Sequence, residues 1–257
     1  MALGVLKIPS VVLLVAALAV GVACADEAAA PAHDATSPSA TATVLASPLI
    51  TIDEPPGGAR VSVPFEISGT ANVFEGALQV EVVADTQSGH VYCTHHVQAT
   101  SGTGTPGTWR TEMAFAFPQY AEADAPVVIR AFNLSARDGS VENVVERRVL
   151  VTSEKPRIIV TSPGCSEDVS MSSLLTVTGL ALVFEAQLQV DVRDAGGAQL
   201  ITTGALASSG TELSPWSTTL DLSGLPGAGI YQLVAYNHSA EDGSIENEFA
   251  VPIVVGP

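Results

Sequence analysis

The densest group of side chains that could do chemistry lies between residues 90 and 96. His90, Cys93, His95 and His96 are all residue types that bind metal ions, and a cysteine beside histidine can also act as a nucleophile. On an extended strand Cys93 and His95 share one face while His90 and His96 take the other, so one tetrahedral site would need a bulge or outside ligands. We therefore expect ordinary strand residues here, with no metal and no catalytic role.

Two Asp-Gly pairs form a second candidate group. They are Asp138-Gly139 and Asp242-Gly243. Each pair stands between two strand-like runs, where a tight hairpin needs residues that tolerate positive φ. The alternative is calcium binding by each aspartate with the glutamate four residues later, Glu142 or Glu246, although no loop dense in acids surrounds them.

A Phe-Glu pair also occurs twice, as Phe74-Glu75 and Phe184-Glu185. We expect both phenylalanines to be core residues. The adjacent carboxylates are expected to accept hydrogen bonds from backbone donors at a bend, and the alternative is a role in binding.

These pairs belong to an internal repeat. The segment 69–82 recurs as 179–192 with nine of fourteen positions identical, and 131–143 recurs as 235–247 with nine of thirteen. A tryptophan, Trp109 or Trp216, lies between the two segments of each copy. A repeat of about 100 residues is long enough for a domain with its own core, so two domains are predicted, at 49–153 and 154–257.

The elements that hold these residues are predicted to be strands. Leu78, Val80 and Val82 alternate with polar residues, which is the period of a strand with one buried face. Each copy offers about seven such runs, separated by Gly, Pro, Asp and Ser. We therefore predict an all-β fold of two tandem immunoglobulin-like β-sandwich domains, in which Trp109, Trp216 and the hairpin glycines Gly139 and Gly243 are structural.

The acidic composition argues against some partners. The chain has 10 Lys and Arg residues against 27 Asp and Glu residues, a formal net charge of −17. Such a surface repels phosphate backbones, so no nucleic acid is expected as a partner. No cofactor is expected. An enzyme is not expected either, because the sequence shows neither a phosphate-binding loop nor a nucleophile with its base.

The N-terminal segment predicts export. Residues 11–20 have the length and apolar character of a signal-peptide core. Residues 21–24 resemble the lipobox of bacterial lipoproteins, which would make Cys24 the lipidation site; an ordinary cleavage site and an uncleaved anchor helix within 1–23 are the alternatives. Residues 24–48 are rich in Ala, Ser, Thr and Pro and are predicted to be a disordered linker.

The other two cysteines are Cys93 and Cys165. An even pair in an oxidising compartment can form a disulfide. These two belong to different repeats, so a bridge would require the domains to pack with the two Cα atoms within about 7 Å. The separate domains favour two free thiols, and the bridge stays open.

The combination of Gly-x-Ala-x-x-Phe-Glu, a central Trp and Ser-Ala-x-Asp-Gly-Ser resembles the Gmad-type immunoglobulin-like domain associated with bacterial spore germination. Both copies carry all three motifs. The resemblance implies a cell-envelope module, often on a lipoprotein. We expect a non-catalytic binding or spacer protein, held on the outer face of the cytoplasmic membrane by a lipid anchor or helix, or secreted, with an unknown envelope protein or cell-wall ligand as partner. The alternatives are a calcium-stiffened adhesin-like rod and an exported hydrolase.

Overall fold

The computed structural model describes residues 48–117 and 124–257. The predicted signal or anchor segment, Cys24 and nearly all of the predicted linker lie outside the described residues. Within them, no helix is both long enough and apolar enough to cross a bilayer. The strands are β1 (Arg60–Val61), β2 (Phe65–Ala71), β3 (Ala77–Ala84), β4 (Val91–Gln98), β5 (Gly107–Met113), β6 (Ala125–Leu134), β7 (Val141–Val151), β8 (Ile158–Ser162), β9 (Glu167–Ser170), β10 (Leu174–Ala181), β11 (Gln187–Arg193), β12 (Gln199–Leu206), β13 (Ser214–Asp221), β14 (Gly229–His238) and β15 (Ile245–Gly256).

The first seven strands form the two sheets of domain 1. The larger sheet has the order β1-β7-β6-β3-β4, and β2 pairs with β5 in the smaller one. The segment before β1 also bridges to β2, at Ile50 with Ala71 and at Glu54 with Ser68. The first part of the domain therefore pairs with the smaller sheet, and β1 then pairs in parallel with β7 of the larger sheet.

Domain 2 repeats this arrangement with β8 to β15. Its sheets have the orders β13-β10-β8 and β12-β11-β14-β15-β9. Here β8 pairs antiparallel with β10 in one sheet, and β9 pairs in parallel with β15 in the other. The predicted fold of two tandem immunoglobulin-like sandwiches is confirmed, whereas the boundary at 153 stays a prediction.

The alternating pattern explains where the cores lie. Leu78, Val80 and Val82 on β3 are buried, as are their counterparts Leu188, Val190 and Val192 on β11. Side chains at every second position of a strand point to the same face, so these runs face the space between the sheets. Trp109 and Trp216 are each 3% exposed and belong to the same apolar interiors.

The two domains are joined by a disulfide between Cys93 and Cys165, whose Cα atoms are 5.0 Å apart. The expectation of two free thiols was therefore wrong. Cys93 lies on β4, the edge strand of its sheet, and Cys165 lies in the turn between β8 and β9. Ser166 in that turn donates a hydrogen bond to the carbonyl of Thr94. An edge strand has an unpaired side, which here receives the turn of the second domain.

Candidate functional site

The two repeated phenylalanines are on the surface. Phe74 is 57% exposed and Phe184 is 67% exposed. The expectation that both are core residues was wrong, because the chain leaves the alternation of the strand before it reaches them. The residues directly before them are buried instead, Val73 at 4% and Val183 at 3%.

The turn that presents each phenylalanine has an unusual backbone. Phe74–Gly76 and Phe184–Ala186 are single 3₁₀ turns, and in both the middle residue has positive φ: 54° for Glu75 and 54° for Glu185. A side chain with a Cβ occupies this left-handed region at a cost of about 1–2 kcal/mol. Strain held at the same place in two copies points to a function for the turn.

The carboxylates of Glu75 and Glu185 do not serve the fold as expected. The turns are closed by backbone bonds, Gly76 N–H to the Val73 carbonyl and Ala186 N–H to the Val183 carbonyl. Within 48–117 and 124–257, neither carboxylate accepts a hydrogen bond. The prediction that they satisfy backbone donors was therefore wrong, and both are free to meet a ligand.

In domain 2 the Phe184 turn borders an open groove of about 660 Å³. Strand pairing brings the walls together: Leu206 at the end of β12 pairs with Gln187, and the antiparallel pairing of β11 with β14 carries His238 to the same end of the domain. Phe184, Leu206 and His238 line the groove together with Glu185. Leu206 is itself 65% exposed, so the groove has an apolar rim.

The matching end of domain 1 has a more polar rim. Gln98 takes the place of Leu206, and its side-chain amide donates to the carbonyl of Glu75. Leu134 takes the place of His238 at the end of β6. The two domains therefore share the exposed phenylalanine and differ in the residues around it.

Each domain also has a hairpin with the Asp-Gly pair, and in domain 2 Ala240 of that hairpin lines the same groove as Phe184. Gly139 and Gly243 have φ of 72° and 75°, the conformation that this turn requires. In domain 2, Asp242 accepts bonds from the backbone N–H and hydroxyl of Ser244. These bonds hold the pKa of Asp242 below its ordinary value, and bonds from Ser140 do the same for Asp138.

The glutamates proposed as calcium partners are engaged elsewhere. Glu142 accepts a bond from the amide of Asn133, as Glu246 does from Asn237. That asparagine in turn accepts a 2.7 Å bond from the amide of a second asparagine, Asn143 or Asn247, which has positive φ. The aspartate of each hairpin and its glutamate therefore have separate partners, and the geometry gives the calcium interpretation no support.

A family model describes these two domains. The immunoglobulin-like domain of bacterial spore germination, Gmad2, matches residues 49–140 and 157–244. The chain belongs to the Gmad2 family. Each match spans one sandwich from its first segment to its Asp-Gly hairpin, so both Phe-Glu turns lie within Gmad2 domains. No curated protein matches the chain.

Among solved structures, the chain is similar to the fibronectin(III)-like modules of Clostridium thermocellum CbhA, with 16% sequence identity and a TM-score of 0.25. The similarity covers 80% of this chain and 93% of that chain. The chain is also similar to the tetra-tandem repeat in the extending region of a large adhesion protein, with 13% identity, 78% of this chain and 49% of that chain covered, and a TM-score of 0.29. At these scores neither similarity supports a functional conclusion.

The histidine cluster of the first Gmad2 domain is divided as strand geometry predicts. Cys93 and His95 are buried at 1% and 6%, whereas His90 and His96 are exposed. Burial, with a smaller contribution from the charge of His96, lowers the pKa of His95 to about 4. Among the described residues, one group of three metal-binding side chains has its ligand atoms within 4.8 Å of one another. It consists of Cys93, His95 and Cys165. Cys165 comes from the other domain, so no local spacing could have revealed this group.

Proposed function

We propose that this chain is a non-catalytic binding protein of the bacterial cell envelope, in which the Phe74 and Phe184 turns contact the partner. The observation that carries the proposal is the exposure of these two phenylalanines at the same turn of both domains. Burying such a side chain against a partner contributes about 1.5–3 kcal/mol. Two modules on one chain add the gain of linked binding.

The groove of domain 2 supports a partner with both apolar and basic side chains. Phe184 and Leu206 offer apolar contacts, and Glu185 lines the same groove. Glu241 and Asp242 are exposed at the tip of that hairpin, and the whole chain has a net charge of −17. A protein segment that combines apolar with basic side chains fits this surface, because its charges complement the acidic rim.

Location in the envelope is part of the proposal. Attachment through a lipidated Cys24 would hold both domains outside the cytoplasmic membrane. Cys24→Ala is then expected to abolish metabolic fatty-acid labelling and to release the protein from the membrane fraction. A wild-type chain that is never labelled but stays in the membrane would instead indicate an uncleaved helix.

We extend the proposal to germination because the family description names that process. In a deletion strain complemented with wild-type chain, spores should germinate normally. Complementation with a Phe74→Ala/Phe184→Ala chain should fail, although that chain is produced and folded. Normal germination of the deletion strain itself would refute this part without touching the binding surface.

The proposed binding surface around Phe184 is tested by crosslinking on intact cells. A photo-crosslinking amino acid replaces Phe184 in one variant and Leu174 in a control variant. Leu174 is 68% exposed but begins β10, so it lies at the end of domain 2 opposite the groove. We expect a crosslinked peptide with apolar and basic residues from position 184 only. Equal products from both positions, or an acidic peptide from position 184, would overturn the assignment.

A further inference from the structure

A cluster of potential metal ligands lies where the disulfide joins the two domains, away from the Phe184 groove. Cys93 and Cys165 supply two sulfur atoms, and a ring nitrogen of His95 lies within 4.8 Å of both. Cys93 is 1% exposed and His95 is 6% exposed, while Cys165 is partly buried against the core. Two sulfurs and one imidazole shielded from water are a ligand set that Zn²⁺ prefers.

His95 is already held as a metal-binding histidine is held. Its Nδ1 forms a 2.7 Å hydrogen bond with the hydroxyl of Thr111 on β5. Its Nε2 is buried and has no hydrogen-bond partner among the described residues. A buried polar atom without a partner costs free energy, so this nitrogen points to a ligand that the fold itself does not provide. Metal-binding histidines typically anchor one ring nitrogen in this way and bind the metal with the other.

We propose that reduction of the Cys93–Cys165 disulfide creates a Zn²⁺ site formed by both thiolates and His95. A dithiol reductant transfers two electrons by thiol–disulfide exchange: the S–S bond breaks, two thiols form, and the dithiol becomes a disulfide. Zn²⁺ then binds both sulfurs and displaces their two protons. Zinc–sulfur bonds of about 2.3 Å place the sulfurs roughly 3.8 Å apart in a tetrahedron, so the two residues separate slightly. These three ligands leave one of the four zinc positions for a further ligand.

With this site, the two domains stay joined after the disulfide is reduced. The oxidised pair joins β4 of domain 1 to the turn after β8 of domain 2 covalently, and the reduced pair joins them through the metal.

The repeat supplies a built-in comparison. Strand pairing equates Cys93 with Ile201 and His95 with Thr203. The second sandwich therefore folds with no ligand at either position. Thr203 also shows that threonine is tolerated at this place in the strand, so His95→Thr is a variant that should keep the fold.

The test uses the full chain with Cys24→Ser, which removes the third thiol. After reduction by a dithiol and its removal, the chain should bind one equivalent of Zn²⁺, measured by competition with a chromophoric chelator. Co²⁺ should give a thiolate charge-transfer band. Binding should be absent before reduction, and His95→Thr should weaken it by at least about tenfold. The control His96→Ala changes an exposed histidine on the opposite face and should leave the affinity unchanged.

The proposal is overturned if the reduced chain binds Zn²⁺ no better than Cys93→Ser/Cys165→Ser. It is also overturned if His95→Thr and His96→Ala bind alike while circular dichroism shows both folded. Loss of the Co²⁺ band on Cys93→Ser or Cys165→Ser alone would support it, because each sulfur is a required ligand.

Discussion

Gly179 lies directly opposite Trp216 in the pairing of β10 with β13, and the indole occupies the space that a side chain at 179 would need. A Cβ atom there would stand 2.6 Å from the Trp216 ring and 2.0 Å from the carbonyl oxygen of Ile159 on β8. Gly69 faces Trp109 in the same way, with the Thr51 carbonyl oxygen at 2.0 Å. The glycine of the Gly-x-Ala motif therefore lets the tryptophan and the first segment of each domain pack on one strand.

Gly179→Ala is predicted to destabilise domain 2 by about 3 kcal/mol or more, because the close contact is with backbone and cannot be relieved by a rotamer change. Chemical denaturation followed by tryptophan fluorescence measures the loss. Gly204→Ala is the matched control, since a Cβ at that position of β12 meets no atom within 4 Å. Similar losses in the two variants would contradict the packing argument.

Phe184→Ala is predicted to change the free energy of unfolding by less than about 1 kcal/mol, as expected for a largely exposed side chain. Trp216→Ala removes a buried aromatic ring and should cost about 3–5 kcal/mol. Both variants are compared by urea denaturation. A large loss for Phe184→Ala would mean that the phenylalanine supports the core in solution.

Glu185→Gly is predicted to raise the stability of domain 2 by up to about 1 kcal/mol, because glycine adopts a φ of 54° without steric cost. Glu75→Gly should act in the same direction in domain 1. Thermal denaturation detects the shift, and Glu241→Gly in the neighbouring hairpin controls for loss of a surface charge. A gain in stability combined with weaker partner binding would show that the strained glutamate is kept for function.

The stability of domain 1 is predicted to fall as the pH drops from about 6.5 to about 4. Burial lowers the pKa of His95 in the folded state to about 4, against an ordinary value of 6.5, so the unfolded chain takes up the proton first. The stability contributed by His95 is therefore complete above pH 6.5 and is lost as the pH approaches 4, by up to about 3 kcal/mol. His95→Thr should flatten this part of the curve relative to His96→Ala. Parallel curves for the two variants would contradict it.

The disulfide is predicted to stabilise the two-domain unit. It closes a segment with a sequence separation of 72, and the chain-entropy argument gives up to about 4 kcal/mol for a loop of that length. Cys93→Ser/Cys165→Ser should lower the denaturation midpoint under oxidising conditions and should make the chain insensitive to reductant. Cys24→Ser serves as the control and should change neither property.

The sequence alone determined the class of fold. Apolar residues at every second position, as in Leu78, Val80 and Val82, predict strands because side chains alternate across a sheet. A repeat too long for a solenoid unit predicts two domains. Asp-Gly between strand-like runs predicts hairpins, since glycine is the residue that takes positive φ at little cost. All of these signals lie in the order of residues along the chain, so they can be read without knowing which strands meet.

Which side chains lie on the surface, and which residues meet across the two domains, depends on the tertiary structure. At Val73-Phe74-Glu75 the strand periodicity stops, so the sequence could not tell that the valine is buried and the larger phenylalanine is exposed. Cys165 approaches Cys93 and His95 because an edge strand of one sandwich accepts a turn of the other. Such contacts depend on how complete domains pack, and no spacing along the chain encodes that distance.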